Sequence, residues 1–257
     1  MSNDIVWQVM KMKYFAMLLE KKRLTLQRMS DKPETAECAN FYDLIGKIVP
    51  GGDLLPEEIN NRNDKLASIM ENRRNSIYFT CFYGREKLTY NIIKTFGEDN
   101  GIAVAFDKKK LIKRCKNYKS NDLITGEKLK YDYVKYDEDG LDTYSEKEFA
   151  DNYLDLFYYK SESYRDENEF RIAVDLNKGH LNGTRKDTDS NILFTDKFAY
   201  LPIFLKDIVK LAIPNGDDLE IILCNLLKNY KKTMRFEKSG NPKSLFTQPI
   251  INYERMK

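Results

Sequence analysis

Tyr164-Arg165-Asp166-Glu167-Asn168-Glu169-Phe170-Arg171-Ile172-Ala173-Val174-Asp175-Leu176 decides the reading of this chain. Its second half is rich in β-branched and aromatic residues and predicts a strand. In an extended chain, residues two apart point to the same face. Glu167 and Glu169 would then share a face, with Arg171 next along it, while Phe170, Ile172 and Val174 point into a core. Two carboxylates side by side raise one another's pKa or recruit a cation. A strand that opens this way is either paired off by basic residues or put to chemical use.

Working outward, strands and helices interleave without a regular period. Ile5 to Met10 and Leu24-Thr25-Leu26 predict strands, with a helix from Lys13 to Lys22 between them. In that helix Tyr14, Met17, Leu18 and Lys21 recur at helical spacing. Pro33, Pro50, Gly51, Gly52 and Pro56 punctuate residues 30–56. Pro56-Glu57-Glu58 then opens a long helix ending near Arg74, with proline in the first turn and acids behind it. Ser76 to Tyr83 is a strong strand, followed by a helix to about Thr95 and a strand from Gly101 to Phe106. Lys108 to Lys116 predicts a basic helix, Leu129 to Tyr136 a strand, and Ser145 to Tyr159 a helix with Phe149, Tyr153, Leu156 and Phe157 on one side. Beyond Val174 come a polar loop at 177–191, a strand from Ile208 to Ile213, a helix from Asp217 to Tyr230 and a strand from Thr233 to Glu237.

No glycine-rich phosphate loop follows any strand, so neither a P-loop nor a dinucleotide fingerprint is present. The pattern favours an α+β fold of mixed or antiparallel strands over a doubly wound sheet. No internal repeat or linker divides the chain. It is expected to be one α+β domain over 1–257, with a helical insertion at about 34–75 and a C-terminal helix and strand at about 217–257. A chain of 257 residues can bury a substantial core.

Composition narrows the function classes. Charged residues make up 32% of the chain and the net charge is +3, too small to argue for nucleic acid by itself. No apolar run approaches the roughly 18 residues of a membrane span, and the start of the chain lacks a basic-then-apolar signal pattern. A cytoplasmic protein without membrane attachment is expected. Cys38, Cys81, Cys115 and Cys224 lie far apart, and His180 is the single histidine, in a Gly/Asn loop. Those spacings supply no zinc site, and no metal is expected. Cys81 reads as a small core residue on a buried strand.

One stretch points to a different partner. Lys108, Lys109, Lys110, Lys113, Arg114, Lys116 and Lys119 place seven cations in twelve residues, interrupted by Leu111, Ile112 and Cys115 at helical spacing. Such a helix has one buried and one charged face. The charged face either is solvated or contacts the phosphates of a nucleic acid. The acidic run Asp137-Glu138-Asp139, with Asp142, Glu146 and Glu148 beyond, nearly cancels it in the total.

The order of these segments resembles the bacterial family called domain of unknown function 2971. The similarity rests on Val6-Trp7, Leu24-Thr25-Leu26, Cys81-Phe82-Tyr83, Ile93-x-x-Phe96, Gly101 to Phe106 and Glu167-Asn168-Glu169-Phe170-Arg171, and it extends through Leu201-Pro202 and Ile208 to Ile213. Each piece is short; their order and spacing carry the resemblance. That family in turn looks like a remote relative of the ADP-ribosyltransferases found in toxin and phage-defence systems.

The resemblance implies a split β-sandwich with flanking helices, gripping NAD in a cleft. It also implies cleavage of the nicotinamide–ribose bond in bacterial phage defence or toxin–antitoxin conflict. Glu169 would steady the oxocarbenium-like transition state. Glu167 would orient or deprotonate the acceptor. Trp7, Thr80, Tyr83 and Arg171 would line the NAD site, with Arg171 also the counter-ion of the two glutamates. Departures stand beside this. Gln8 and Met10 occupy positions where basic residues usually hold NAD phosphates, Tyr83 replaces a serine, and Ile93 replaces a tryptophan.

Two other readings of the residues stay open. A non-catalytic member of the fold would bind a nucleotide, or a partner or regulator protein. A metal-dependent nuclease would use Asp155 or Asp166, Glu169 and Arg171 around Mg²⁺, although arginine stays protonated and makes a poor base. Glu-x-Glu followed by arginine also occurs as a plain edge ion pair.

Overall fold

The computed structural model describes residues 5–31, 41–85, 88, 90–97, 101–121, 127–136, 143–176, 193–194, 197–214, 226 and 252–256. In chain order the elements are β1 (Ile5–Lys11), α1 (Met12–Lys21), β2 (Arg23–Arg28), α2 (Phe41–Ile48), α3 (Pro56–Arg74), β3 (Ile77–Tyr83), α4 (Tyr90–Gly97), β4 (Gly101–Asp107) and α5 (Lys108–Asn121). They continue as β5 (Lys128–Tyr133), β6 (Lys135–Tyr136), α6 (Glu146–Asn152), β7 (Tyr159–Lys160), β8 (Glu169–Asp175), β9 (Leu193–Phe194), β10 (Phe198–Pro202), β11 (Ile208–Pro214) and β12 (Asn252–Met256). The fold is α+β with mostly antiparallel pairing. The loop expected at 177–191 with His180, and the strand at 233–237, lie outside the described residues, as does the helix at 217–230 apart from Leu226.

The chain groups into two compact units. The first comprises 1–25, 82–118 and 200–257. Its centre is β4, buried from Gly101 to Phe106. β1 pairs with β4 antiparallel from Ile5 opposite Asp107 to Lys11 opposite Gly101. β11 flanks the other side of β4, antiparallel, and β12 joins β11 in parallel. Helix α4 lies close to the start of β4. A Cβ on Gly101 would sit 2.7 Å from the Gly97 Cα and 2.9 Å from the Ile93 carbonyl oxygen, so only glycine allows this approach. Helix α1 buries Met12, Phe15, Leu18 and Leu19. The expected row of Tyr14, Met17, Leu18 and Lys21 is therefore one position off the buried stripe, and Tyr14 and Met17 face solvent. α1 ends at Lys22 in the left-handed region (φ 53°), whose N–H returns to the Leu18 carbonyl at 2.8 Å.

The second unit comprises 26–81 and 119–199. Here β2 pairs with β3 at Gln27–Phe79 and Arg28–Tyr78. β8 lies between β3 and β5, and its ladder with β5 runs from Lys128 opposite Asp175 to Tyr133 opposite Phe170. Helices α2 and α3 pack with a 3₁₀ segment, Tyr153–Tyr158, around a core that includes Met29, Ile45, Leu66, Met70, Phe79, Phe149, Phe157 and Ala173. Helix α3 matches its sequence signals: Pro56 opens it, and the Glu58 carboxylate accepts the Leu55 N–H at 2.8 Å.

The helix expected from Ser145 to Tyr159 is shorter. α6 starts on a capping box between Ser145 and Glu148 and stops at Asn152. The run Tyr153-Leu154-Asp155-Leu156-Phe157-Tyr158 then tightens to 3₁₀, and all but Asp155 are buried. An α-helix would keep one side of this run in solvent. The tighter coil sinks five large side chains instead. The strand expected from Leu129 to Tyr136 is also divided, into β5 and β6. Between them the Val134 N–H donates to the Glu169 carbonyl at 2.8 Å.

Candidate functional site

β7 ends at Lys160 and the chain reverses through a 3₁₀ turn, Glu162–Glu167. Asn168 closes the turn in the left-handed region (φ 42°), where asparagine is tolerated better than most residues, and its N–H donates to the Arg165 carbonyl at 3.1 Å. β8 begins at Glu169. Glu167 is thus the last residue of a turn rather than the first of a strand, because Asn168 interrupts the extended path. The two carboxylates still meet. Lys160 brings them together, its Nζ donating to Glu167 Oε2 at 2.8 Å and to Glu169 Oε2 at 2.9 Å.

Arg171 completes the group from the same face of β8. Its Nε donates to Glu169 Oε1 at 2.7 Å, and its guanidinium also donates to the Phe157 carbonyl and lies over the Phe79 ring. The Tyr136 hydroxyl accepts the Glu169 N–H at 3.2 Å, and the Cys81 side chain hydrogen-bonds to the Glu169 carboxylate. The Lys160 ammonium sits 5.1 Å from the Tyr164 ring centre. Two anions and two cations make the group neutral in sum, which is what lets Glu169 and Arg171 be buried with the rest of β8.

Glu169 is 4% exposed. Burial alone would push its carboxyl pKa up. The opposing fields of Arg171 and Lys160, with hydrogen bonds from Arg171 and Cys81, more than offset this and hold it down at about 2. Glu169 is therefore a buried carboxylate kept ionised. Tyr136 moves the other way: burial raises its hydroxyl pKa, and the nearby charges of Glu169 and Glu167 add to the rise. A second buried acid, Asp175, lies farther along the same face of β8 and accepts hydrogen bonds from Tyr153 and Arg73. Burial raises its pKa against the pull of Ser76 and Arg73.

The residues singled out in the sequence fall into two sets. Glu167, Glu169 and Arg171 share one ion-paired group in the second unit. Thr80, buried on β3, belongs to that unit too. Trp7 and Tyr83 belong to the first unit, where they are register partners between β1 and β3. Trp7 is 2% exposed, in an apolar cluster with Ile93, Ala103, Ala105 and Ala212. Asp155 pairs with Lys130 and accepts from the Tyr144 hydroxyl. Among the described residues no cluster of acids, cysteines or histidines could hold a metal.

Sequence reasoning missed Lys160 and Tyr136. Lys160 stands seven and nine residues before its partners, across a turn, and no helical or strand period links such positions. The one available signal was the lone basic residue ending the buried run Leu156-Phe157-Tyr158-Tyr159. A surface pocket of about 400 Å³ in the second unit, lined by residues that include Val49, Leu54, Arg62, Tyr144 and Glu146, contains no member of the Glu169 group.

No protein-family model matches the chain, and no curated protein matches it. The resemblance to domain of unknown function 2971 thus rests on the residues quoted above. Among solved structures the chain is similar to Thermus sp. 2.9 DarT in complex with ADP-ribosylated ssDNA, at 9% identity and a TM-score of 0.40, covering 99% of this chain and 94% of that one. It is also similar to Thermus sp. 2.9 DarT in complex with carba-NAD+, at 10% identity and a TM-score of 0.36, covering 91% and 94%.

Proposed function

We propose that the Glu169 group is the reaction centre of an NAD-consuming protein, an ADP-ribosyltransferase or NAD glycohydrolase. The observation that carries this reading is the nearly buried Glu169 carboxylate with Glu167 beside it, both 2.8–2.9 Å from one cation. That position accommodates a positive charge between two anions. The Lys160 ammonium fills it here. Breaking the nicotinamide–ribose bond releases nicotinamide with the bonding electron pair and leaves positive charge on the ribosyl carbon. A fixed carboxylate in a water-poor setting stabilises such charge far better than one in water. Glu169 would face the ribosyl cation, and Glu167, the more exposed of the pair, would take the proton of the incoming acceptor. Lys160 must swing out before NAD can enter. The setting implied by the family resemblance, bacterial defence or toxin–antitoxin conflict, is part of this proposal.

A specific observation favours a second reading. Both Glu169 oxygens are already engaged, by Arg171 and by Lys160. A group so satisfied also suits a member that keeps the fold, binds a partner and performs no chemistry. Calorimetric titration of NAD into wild type and Lys160→Met separates the two. The catalytic reading expects wild type to bind NAD and Lys160→Met to bind it more tightly, since no ammonium has to be displaced. Absence of binding in both folded proteins would favour the second reading.

A further inference from the structure

We infer that the first unit carries a binding surface for single-stranded nucleic acid, formed by helix α5 and the turn at Phe204–Asp207. This is independent of the reading of Glu169. Helix α5 buries Leu111, Cys115 and Tyr118, spaced i, i+4, i+7. The opposite row, Lys109, Lys113 and Lys116, has the same spacing and is exposed. Lys110 and Arg114 form the next row round and meet the turn. Across residues 107–118 and 204–207 there are seven cations and two carboxylates. Like charges at helical spacing repel one another, so this face is held together by the packing beneath it and is suited to an anion outside it.

The turn adds what a solvated basic helix lacks. Phe204 is a large apolar side chain left 50% exposed. The Arg114 guanidinium lies 3.8 Å from its ring centre, and the Lys206 ammonium lies 5.4 Å away. Asp207, wholly buried, fixes this arrangement. Its Oδ2 accepts from Arg114 Nε at 3.1 Å and from the Phe204 N–H at 3.2 Å. Lys110 Nζ donates to the Lys206 carbonyl at 3.4 Å, and Tyr118 ties the far end of the helix to the Pro202 carbonyl at 2.8 Å. The result is a rigid aromatic platform with cations on the ring and an exposed basic row along the helix. An unstacked base can lie on the ring while neighbouring phosphates meet the lysines. A duplex keeps its bases stacked and has no use for the ring, and an acidic peptide offers charge without a base.

The test is fluorescence anisotropy of the full chain with a labelled 20-nucleotide oligo-dT, its duplex and a poly-glutamate peptide, from 50 to 200 mM salt. With about three phosphates neutralised, the log–log slope for the single strand is roughly −2, so affinity falls roughly 20-fold over that range. Phe204→Ala weakens binding roughly 10-fold with the slope unchanged. Lys113→Glu with Lys206→Glu makes the slope shallower by more than one. Both variants alter surface positions, and circular dichroism verifies their fold. Equal affinity for duplex or poly-glutamate, an unaffected Phe204→Ala, or no binding at 50 mM salt would each overturn the proposal.

Discussion

Arg171 is the residue on which the burial of Glu169 depends most. It is fully buried, and it satisfies Glu169 Oε1 and the Phe157 carbonyl together. Removing one member of a buried ion pair leaves the other charged and unsolvated, which costs about 3–5 kcal/mol. Arg171→Ala should therefore lose about that much in urea unfolding at neutral pH. Glu169→Leu combined with Arg171→Met should recover most of it, because the charge and its counter-ion leave together. The pH dependence follows from the same pair. A carboxyl whose folded pKa lies below its unfolded one contributes stability that is complete above the unfolded value and fades as pH falls to the folded one. For Glu169 that window runs from 4.5 down to about 2. Asp175 has the opposite sign: its pKa is raised above 3.8, so its contribution declines as pH rises through the raised value. Unfolding free energies at pH 7 and pH 3 should differ less in Glu169→Gln than in wild type. An equal acid loss in both would mean that Glu169 is not held ionised by its neighbours.

At the scale of elements, the chain announced its strands more clearly than the turn that builds the site. β3, β4, β8 and β11 are runs of β-branched and aromatic residues bounded by glycine, asparagine or proline, and such runs fit a pleated, half-buried surface. α3 was legible to both ends because Pro56 opens it and its last turn carries Arg73 and Arg74. The 3₁₀ segment Tyr153–Tyr158 was not legible, since apolar spacing over six residues does not separate a tight coil from an α-helix. Nor was the left-handed Asn168, which places Glu167 on a turn while still returning its side chain to Lys160. Two substitutions test these backbone arguments by thermal melting. Asn168→Val puts a β-branched side chain at φ 42° and should cost on the order of 1–2 kcal/mol, whereas Asn168→Gly should be close to neutral. Gly101→Ala should destabilise, because its Cβ meets backbone atoms of α4 that cannot move aside as a flexible side chain would.

For the molecule as a whole, the net charge of +3 hides a strong local imbalance, with 43 basic and 40 acidic residues distributed unevenly along the chain. α5 concentrates cations on one face. The Glu169 group balances its charges within a few ångströms. Overall composition captured neither: the basic face of α5 is read from local spacing, and the Glu169 group depends on which residues the fold brings side by side. The two carboxylates and Arg171 could be found from spacing alone; the lysine that holds the carboxylates together came only with the turn. The central claim, that this group cleaves NAD, is tested most directly by nicotinamide release from NAD. Wild type, Glu169→Gln and Glu167→Gln would be compared, with melts confirming that each is folded. The account predicts release by wild type and a loss on the order of 10²–10³ in rate for Glu169→Gln, which keeps size and shape but removes the charge. Glu167→Gln should impair transfer to an acceptor more than hydrolysis. Full activity in Glu169→Gln, or a folded wild type that neither binds nor cleaves NAD, would contradict it.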